Sequence, residues 1–310
     1  MIYITGATGH IGNNLVRKLH EQNIDFRILS RSIQRSISDF EDKVIIGDVF
    51  SIDFLKAHLL PQDTLVHLAA YINLKNDKRD LTEEINYLGV KRIADFCTSN
   101  GIFLVYTSST DAITSDSYLI SEPEEINPED LVSYYQKSKA KATNYILNLT
   151  KNEKLSSLII YPSAVIGIND FKPSALGKEL KRTFKRRICF YFHGGYNFID
   201  VEDVALSIIT GLKEKKSGSY IISGEQISLY DMYKLIYNTL NKKVLMIKIP
   251  VYLIKLAGKI LPKFNVMIKA LLTKHNYNNQ RMIEELKITP TPITKTITKT
   301  VNWFKEDMKK

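Results

Sequence analysis

The sequence predicts an α/β fold: a doubly wound parallel sheet, with a smaller α/β lobe formed by the second half of the chain. Three observations predict it. Apolar, β-branched runs at about 2–5, 25–30, 43–47, 63–68, 102–107 and 155–161 alternate with helical patterns near 11–22, 51–60, 81–100 and 130–152. Strand and helix in strict alternation imply a parallel sheet covered on both faces. A glycine-spaced turn joins the first strand to the first helix. Beyond Gly167 the pattern loosens, with short strands around 188–193, 198–200 and 219–222 and helices around 174–186, 203–213, 229–240 and 251–260.

The first element, Ile2 to Ile4, runs into glycines at 6, 9 and 12 and then into a helical face of Ile11, Leu15, Val16 and Leu19. Strand, glycine turn and helix form the context in which a dinucleotide pyrophosphate is held. Gly6 turns the chain, Gly9 lets backbone approach the anion, Gly12 lets the helix pack closely, and the helix N-terminus faces the charge. The second strand ends in FRILSRS. A carboxylate there accepts from the ribose 2′-hydroxyl of NAD, whereas an arginine suits the 2′-phosphate of NADP. Ser30, Arg31 and Ser32 occupy that zone with Arg35 close behind and no acid. NADP(H) is therefore favoured over NAD(H). Parallel sheets bind ligands at the carboxyl ends of their strands, and the candidate residues collect there. Downstream, Tyr135 and Lys139 stand four residues apart on one helix face. An ammonium beside a phenol favours the phenolate and suits the pair to proton transfer.

TGATGHIG together with Tyr135 and Lys139 resembles the extended short-chain dehydrogenase/reductase family of the NAD-dependent epimerase/dehydratase type, over nearly the whole chain. The resemblance implies a Rossmann-type sheet and further site residues. Thr5, Gly6, Thr8, Gly9, His10, Ile11 and Gly12 would form the cofactor loop. Asp48 and Val49 in GDV would meet adenine; Leu68, Ala69 and Ala70 in HLAA would line the ribose; Asn86 in NYLG matches the asparagine of the following helix. Tyr161, Pro162 and Val165 in YPSAVIG would pack on the nicotinamide. FIDVEDVA at 198–205 is a further signature. In the family mechanism Tyr135 is the acid/base, Lys139 holds the ribose and lowers the Tyr135 pKa, and a hydroxyl from YTSST, Ser109 with Ser108 in reserve, bonds the substrate oxygen. Tyr134 lacks a lysine four residues on.

The function implied is carbonyl reduction, or alcohol oxidation, on a small molecule. Sugar or sugar-nucleotide epimerisation and non-catalytic dinucleotide sensing are the alternatives; a sensor would need neither Tyr135, Lys139 nor the hydroxyl. Nucleotide-sugar enzymes of the family generally carry an Arg before FIxV, where this chain has Asn197, and its dehydratases an Asp-Glu pair, where it has Asp111 alone. Gly167, Asp170, Pro173 and Ser174 instead resemble a loop of dihydroflavonol-reductase-like proteins and hopanoid-associated sugar epimerases.

At 310 residues and 44% hydrophobic, the chain can fill a sizeable core. Residues 1–167 are expected to bind the dinucleotide and 168–310 mainly the substrate, with segments around 188–210 returning to the sheet. The net charge of +10 divides into −5 for residues 1–170 and +15 for 171–310. That basic half leaves an anionic substrate or a peripheral membrane contact open, although general surface bias is the plainer reading; nucleic acid is not expected. Apolar residues around 250–272 are expected to pack the lobe. Met1 leads straight into the first strand, so no leader is expected, and VYLIKLAGKIL is interrupted by Lys255 and Lys259, so no span is. Cys97 and Cys189 have no zinc spacing, no metal is expected, and a reducing cytoplasm fits. A homodimer is possible.

Overall fold

The computed structural model describes residues 1–309 apart from 74–75, 114–118, 261–267, 269–270 and 273–275. The main strands are β1 (Ile2–Thr5), β2 (Phe26–Ser30), β3 (Val44–Ile46), β4 (Thr64–His67) and β5 (Phe103–Thr107). Then come β6 (Leu119–Ile120), β7 (Ser157–Pro162), β8 (Ala164–Ile166), β9 (Ile188–Tyr191), β10 (Gly195–Asp200), β11 (Gly218–Ile222), β12 (Glu225–Ser228), β13 (Leu245–Lys248) and β14 (Asn276–Tyr277). Seven of them form one sheet in the order β11-β7-β5-β4-β1-β2-β3, and every pairing in it is parallel. The order reverses between β1 and β4, so a crevice opens at their carboxyl ends.

Alternation along each strand divides the core. Ile4, Ile28, Val66, Val105 and Ile160 pack on α1 (His10–Glu21) and, later in the chain, on the helix Val201–Lys213. Leu29, Leu65, Leu104 and Tyr106 face α2 (Ile52–His58), α3 (Arg79–Glu83), α4 (Gly89–Asn100) and α5 (Tyr134–Lys151). Between α3 and α4, Glu84–Leu88 makes a π-helical turn inside what the sequence reads as one helix. A capping box starts α5, in which Ser133 Oγ accepts from the Gln136 amide at 3.2 Å and Gln136 Oε1 accepts from the Ser133 amide at 3.0 Å.

The second half adds α6 (Ala175–Thr183), α7 (Val201–Lys213), α8 (Leu229–Thr239), α9 (Val251–Ile260), α10 (Gln280–Glu284) and α11 (Ile293–Asp307). What returns to the main sheet is α7 and β11; β9 and β10 lie in small sheets, β13-β9 and β12-β10-β8, and β14 pairs with β6. Strands β8, β12 and β13 are too short for a legible alternation. The lobe has its own core of Met232, Tyr233, Ile236, Ile297, Val301 and Phe304. The apolar stretch from 250 is not all packing, because Tyr252, Leu253 and Leu256 are exposed; its later residues fall mostly outside the described ones. Among the described residues, no helix is long and apolar enough to cross a membrane.

Candidate active site

Gly6 has φ +74°, and a Cβ on it would lie 2.5 Å from the Ala69 amide nitrogen; one on Gly12 would lie 2.3 Å from the Gly6 carbonyl. Both positions therefore require glycine for close backbone approach. Gly9 caps α1 without any side-chain hydrogen bond, which leaves first-turn amides aimed past the glycine turn. An uncapped helix start beside a backbone cradle fits a dinucleotide pyrophosphate. Thr5 is buried; its Oγ1 pairs with His67 Nδ1 at 2.8 Å and accepts from the Ala69 amide at 3.4 Å, binding β1 to the HLAA segment. Leu68 donates to the Thr5 carbonyl at 3.2 Å, and the Thr8 carbonyl accepts from Ser36 Oγ at 3.2 Å. Ile11 packs on the core beneath.

At the carboxyl end of β2, Arg31 is exposed and has no hydrogen-bond or ion-pair partner among the described residues. Arg35 is committed: its Nη2 reaches Asp307 at 2.8 Å and its guanidinium lies 5.3 Å from the Phe171 ring centroid. Asp48 is exposed and accepts from the Phe50 amide at 3.0 Å, while Val49 is buried beside it. Asn86, buried in the π turn, accepts from the Tyr71 amide at 2.8 Å and donates to the Tyr71 carbonyl at 2.9 Å and to Ser138 Oγ at 3.2 Å. It clamps the chain just after Ala70 to α5.

The two candidate hydroxyls separate cleanly. Ser108 is buried and its Oγ pairs with Thr143 Oγ1 at 2.7 Å, away from the cleft. Ser109 Oγ accepts from the Asp111 amide at 3.1 Å, and the Ser109 hydroxyl stands close enough to Tyr135 to affect its acidity. Burial, reinforced by the charge of Asp111, raises the Tyr135 pKa, and the Ser109 hydroxyl opposes this. Asp111 is solvent-accessible yet closely walled by protein, and that desolvation raises its own pKa. Tyr196 on β10 and Tyr277 on β14 both feel the Asp111 charge; Tyr277 is pushed up to about 12, mainly by burial. The lobe thus contributes two phenols to the cleft of Ser109, Asp111 and Tyr135.

The contacts of Lys139 run to β5. Its Nζ donates to the Thr107 carbonyl at 2.7 Å and to the Tyr106 hydroxyl at 3.3 Å, 4.7 Å above the Tyr106 ring. Burial lowers its pKa to about 7. At that pKa it gives up its charge before Tyr135 titrates, so burial and Asp111 set the acidity of Tyr135 here. The Lys139 charge is felt by His67, where burial first and Lys139 second lower the pKa to about 3. In β7 and β8, Tyr161 is fully buried, the Pro162 carbonyl accepts from Thr110 Oγ1 at 3.3 Å, and Val165 is partly exposed.

One connection was not read from the sequence. His10 Nε2 contacts the Ile168 carbonyl at 2.9 Å, and Asn14 and Asn13 donate to the carbonyls of Ile168 and Asn169 at 3.1 and 2.8 Å. Asp170 accepts from the Ser174 amide and hydroxyl, fixing the start of α6. Burial lowers the His10 pKa against the opposing charges of Asp170 and Asp200. The glycine loop and the 167–174 loop are thereby one unit; the IND and GHIGNN polar residues were its signal. Asn197, in the place where nucleotide-sugar enzymes of the family generally carry an Arg, is buried, donating to the Gly224 carbonyl at 3.0 Å and accepting from its amide at 3.2 Å. Among the described residues, no group of His, Cys, Asp or Glu is arranged to hold a metal ion.

The chain is similar to proteins with this architecture. It is 32% identical over 237 residues, 73% of this chain and 68% of the other, to a putative dihydroflavonol 4-reductase of Synechocystis sp.. It is 23% identical to sterol demethylase protein B of Methylococcus capsulatus, with 98% of both chains covered. UDP-glucose 4-epimerase of Vibrio cholerae is 22% identical over 86% of this chain and 84% of its own. Among solved structures, gox2253 superposes with a TM-score of 0.85 at 24% identity over 99% and 98% of the two chains. The dTDP-glucose 4,6-dehydratase DesIV of Streptomyces venezuelae, with NAD and TYD bound, gives 0.80 at 16% identity over 99% and 98%. The profile of the NAD dependent epimerase/dehydratase family matches residues 2–223. This chain, with its glycine cradle and its Tyr135–Ser109 cleft on a parallel sheet, belongs to the NAD dependent epimerase/dehydratase family and is an enzyme of the short-chain dehydrogenase/reductase type.

Proposed function

We propose that the protein is an NADP(H)-dependent oxidoreductase that reduces a carbonyl, or oxidises the corresponding alcohol, with Tyr135 as acid/base. The observation that carries this reading is the Ser109 hydroxyl placed beside Tyr135 in a cleft walled by Asp111, Tyr196 and Tyr277. The reduced cofactor supplies a hydride when bound. Tyr135 gives its proton to the substrate oxygen, and its raised pKa keeps it protonated at neutral pH, the form an acid needs. Ser109 bonds the same oxygen and fixes its direction. Lys139 steadies the carboxyl end of β5 and donates to the ribose. Residues 1–167 serve the cofactor in this reading and 168–310 mainly the substrate, with exposed Leu81 and Leu88 next to α5 fitting a homodimer face.

A carbonyl substrate without a diphosphate is favoured because Asn197 is spent on Gly224. The names of the Synechocystis and Methylococcus relatives fit an apolar ring compound. Unpartnered Arg31 supports NADP(H). The test is Tyr135→Phe, assayed with NADPH and a panel of flavanonol and 3-ketosteroid substrates by loss of reduced-nicotinamide absorbance. Turnover should fall by ~10²–10⁴-fold with NADPH affinity retained. Unchanged turnover removes Tyr135 from the mechanism, and product formation without net cofactor oxidation identifies an epimerase.

A further inference from the structure

Strands β9 and β13 run parallel with Leu245 opposite Ile188 and Ile247 opposite Phe190. The inner face is packed, with Cys189 fully buried. The outer face should be polar by the usual alternation. It is apolar instead: Ile188, Phe190, Leu245 and Ile247 are 47%, 57%, 61% and 37% exposed. Cross-strand partners on one face touch, so the four make one continuous patch. The Ile249 amide donates to the Tyr191 carbonyl at 2.7 Å, and α9 starts two residues later, exposing Tyr252, Leu253 and Leu256. Around these lie exposed Arg187, Lys243, Lys248 and Lys255, none with an acidic partner among the described residues. The sequence explains why: residues 232–283 contain nine Lys and one Arg and no Asp or Glu.

We propose that this face of the lobe is a peripheral docking surface for an anionic phospholipid bilayer. Apolar side chains projecting from a cationic rim match a surface that is negative at the headgroups and apolar beneath. A second copy would bring like charges together. A nucleic acid would satisfy the lysines but leave the aliphatic side chains with nothing to enter. Exposed apolar clusters of this kind mark interaction sites, whereas scattered single residues do not.

The test is cosedimentation of the full-length protein with vesicles of phosphatidylcholine alone, or with about a third phosphatidylglycerol. The protein should bind the mixed vesicles and lose at least ~10-fold in affinity on neutral ones or at high salt. Phe190→Glu with Leu245→Glu, and separately Lys243→Glu with Lys248→Glu, should each weaken binding by ~10-fold or more while NADPH affinity is unchanged. Leu60→Glu, at an exposed leucine of the dinucleotide half, should have no effect. No binding to the mixed vesicles overturns the proposal. So does wild-type binding by the apolar-face variant, which would make the attraction mere charge, or a salt-resistant dimer that the same variant dissolves. Vesicle binding is independent of turnover, so its failure would leave the oxidoreductase reading standing.

Discussion

Replacing Arg31 with Ala should separate the two nicotinamide dinucleotides. Arg31 leaves β2 exposed and has no partner among the described residues, so its guanidinium can meet a 2′-phosphate. Arg35 cannot do the same, because Asp307 at 2.8 Å and the Phe171 ring hold it toward α11. A charge-assisted hydrogen bond of this kind contributes ~1.5–3 kcal/mol net. At ~1.4 kcal/mol per decade, NADPH affinity should fall by ~10–100-fold, toward the lower end at physiological salt because the site is exposed. NADH carries no 2′-phosphate, and its affinity should change by less than about threefold. Titration of nicotinamide fluorescence on the wild type, Arg31→Ala and Arg35→Ala gives the comparison. Parallel losses for NADPH and NADH in Arg31→Ala, or tighter binding of NADH by the wild type, would refute the assignment. Arg35→Ala should instead cost stability, by at most ~1 kcal/mol for so exposed a pair.

The two serines make a matched pair of variants. Ser109→Ala should lower turnover by ~10–100-fold with Tm unchanged, while Ser108→Ala, which strands Thr143, should cost ~1 kcal/mol in a urea melt with turnover nearly intact; the opposite pattern would exchange their roles. Gly12→Ala places a Cβ against the Gly6 carbonyl, a backbone atom that cannot swing aside, so stability should drop by ~1–3 kcal/mol in calorimetry and cofactor affinity with it. His67, at about 3, lies below the ordinary histidine value, so the unfolded chain binds the extra proton at intermediate pH. Stability should therefore decline as pH falls through ~6.5 toward the folded value, by ~2–3 kcal/mol between pH ~7.5 and ~4.5. Urea melts of wild type and His67→Gln at the two pH values check this; equal losses would mean that other groups carry the acid response.

What could be read in advance is what is encoded locally. β7 is buried at every residue and reads as an apolar run from Leu158 on, and the glycine turn reads itself because Gly6 and Gly12 leave no space for a side chain. The Tyr135/Lys139 spacing placed both residues on α5 but not their partners. Lys139 is claimed by a carbonyl and a phenol on β5, more than thirty residues away, and no helical period carries that information. The junction of His10 with Ile168 spans 158 residues, and Asn197 with Gly224 spans 27. Strand β11 was visible as a strand, yet its place beside β7 is decided by how α7 packs on α1. The outward apolar face of β9 and β13 escaped for a related reason: a short apolar run looks the same whether its neighbour is core or solvent.

In the proposed reading Lys139 and Tyr135 tie the state of the site to its occupancy. Burial lowers the Lys139 pKa to about 7, which brings loss of its proton within reach near neutral pH. In the proposed reading its neighbours include the ribose and phosphates of a polyanionic dinucleotide, which favour the ammonium. Linkage then works in both directions: the dinucleotide raises the protonated fraction of Lys139, and protonation of Lys139 tightens the dinucleotide. The positive charge that the four-residue spacing suggested for the acidity of Tyr135 is thus strongest in the loaded enzyme. Without it, burial and Asp111 keep the Tyr135 proton in place.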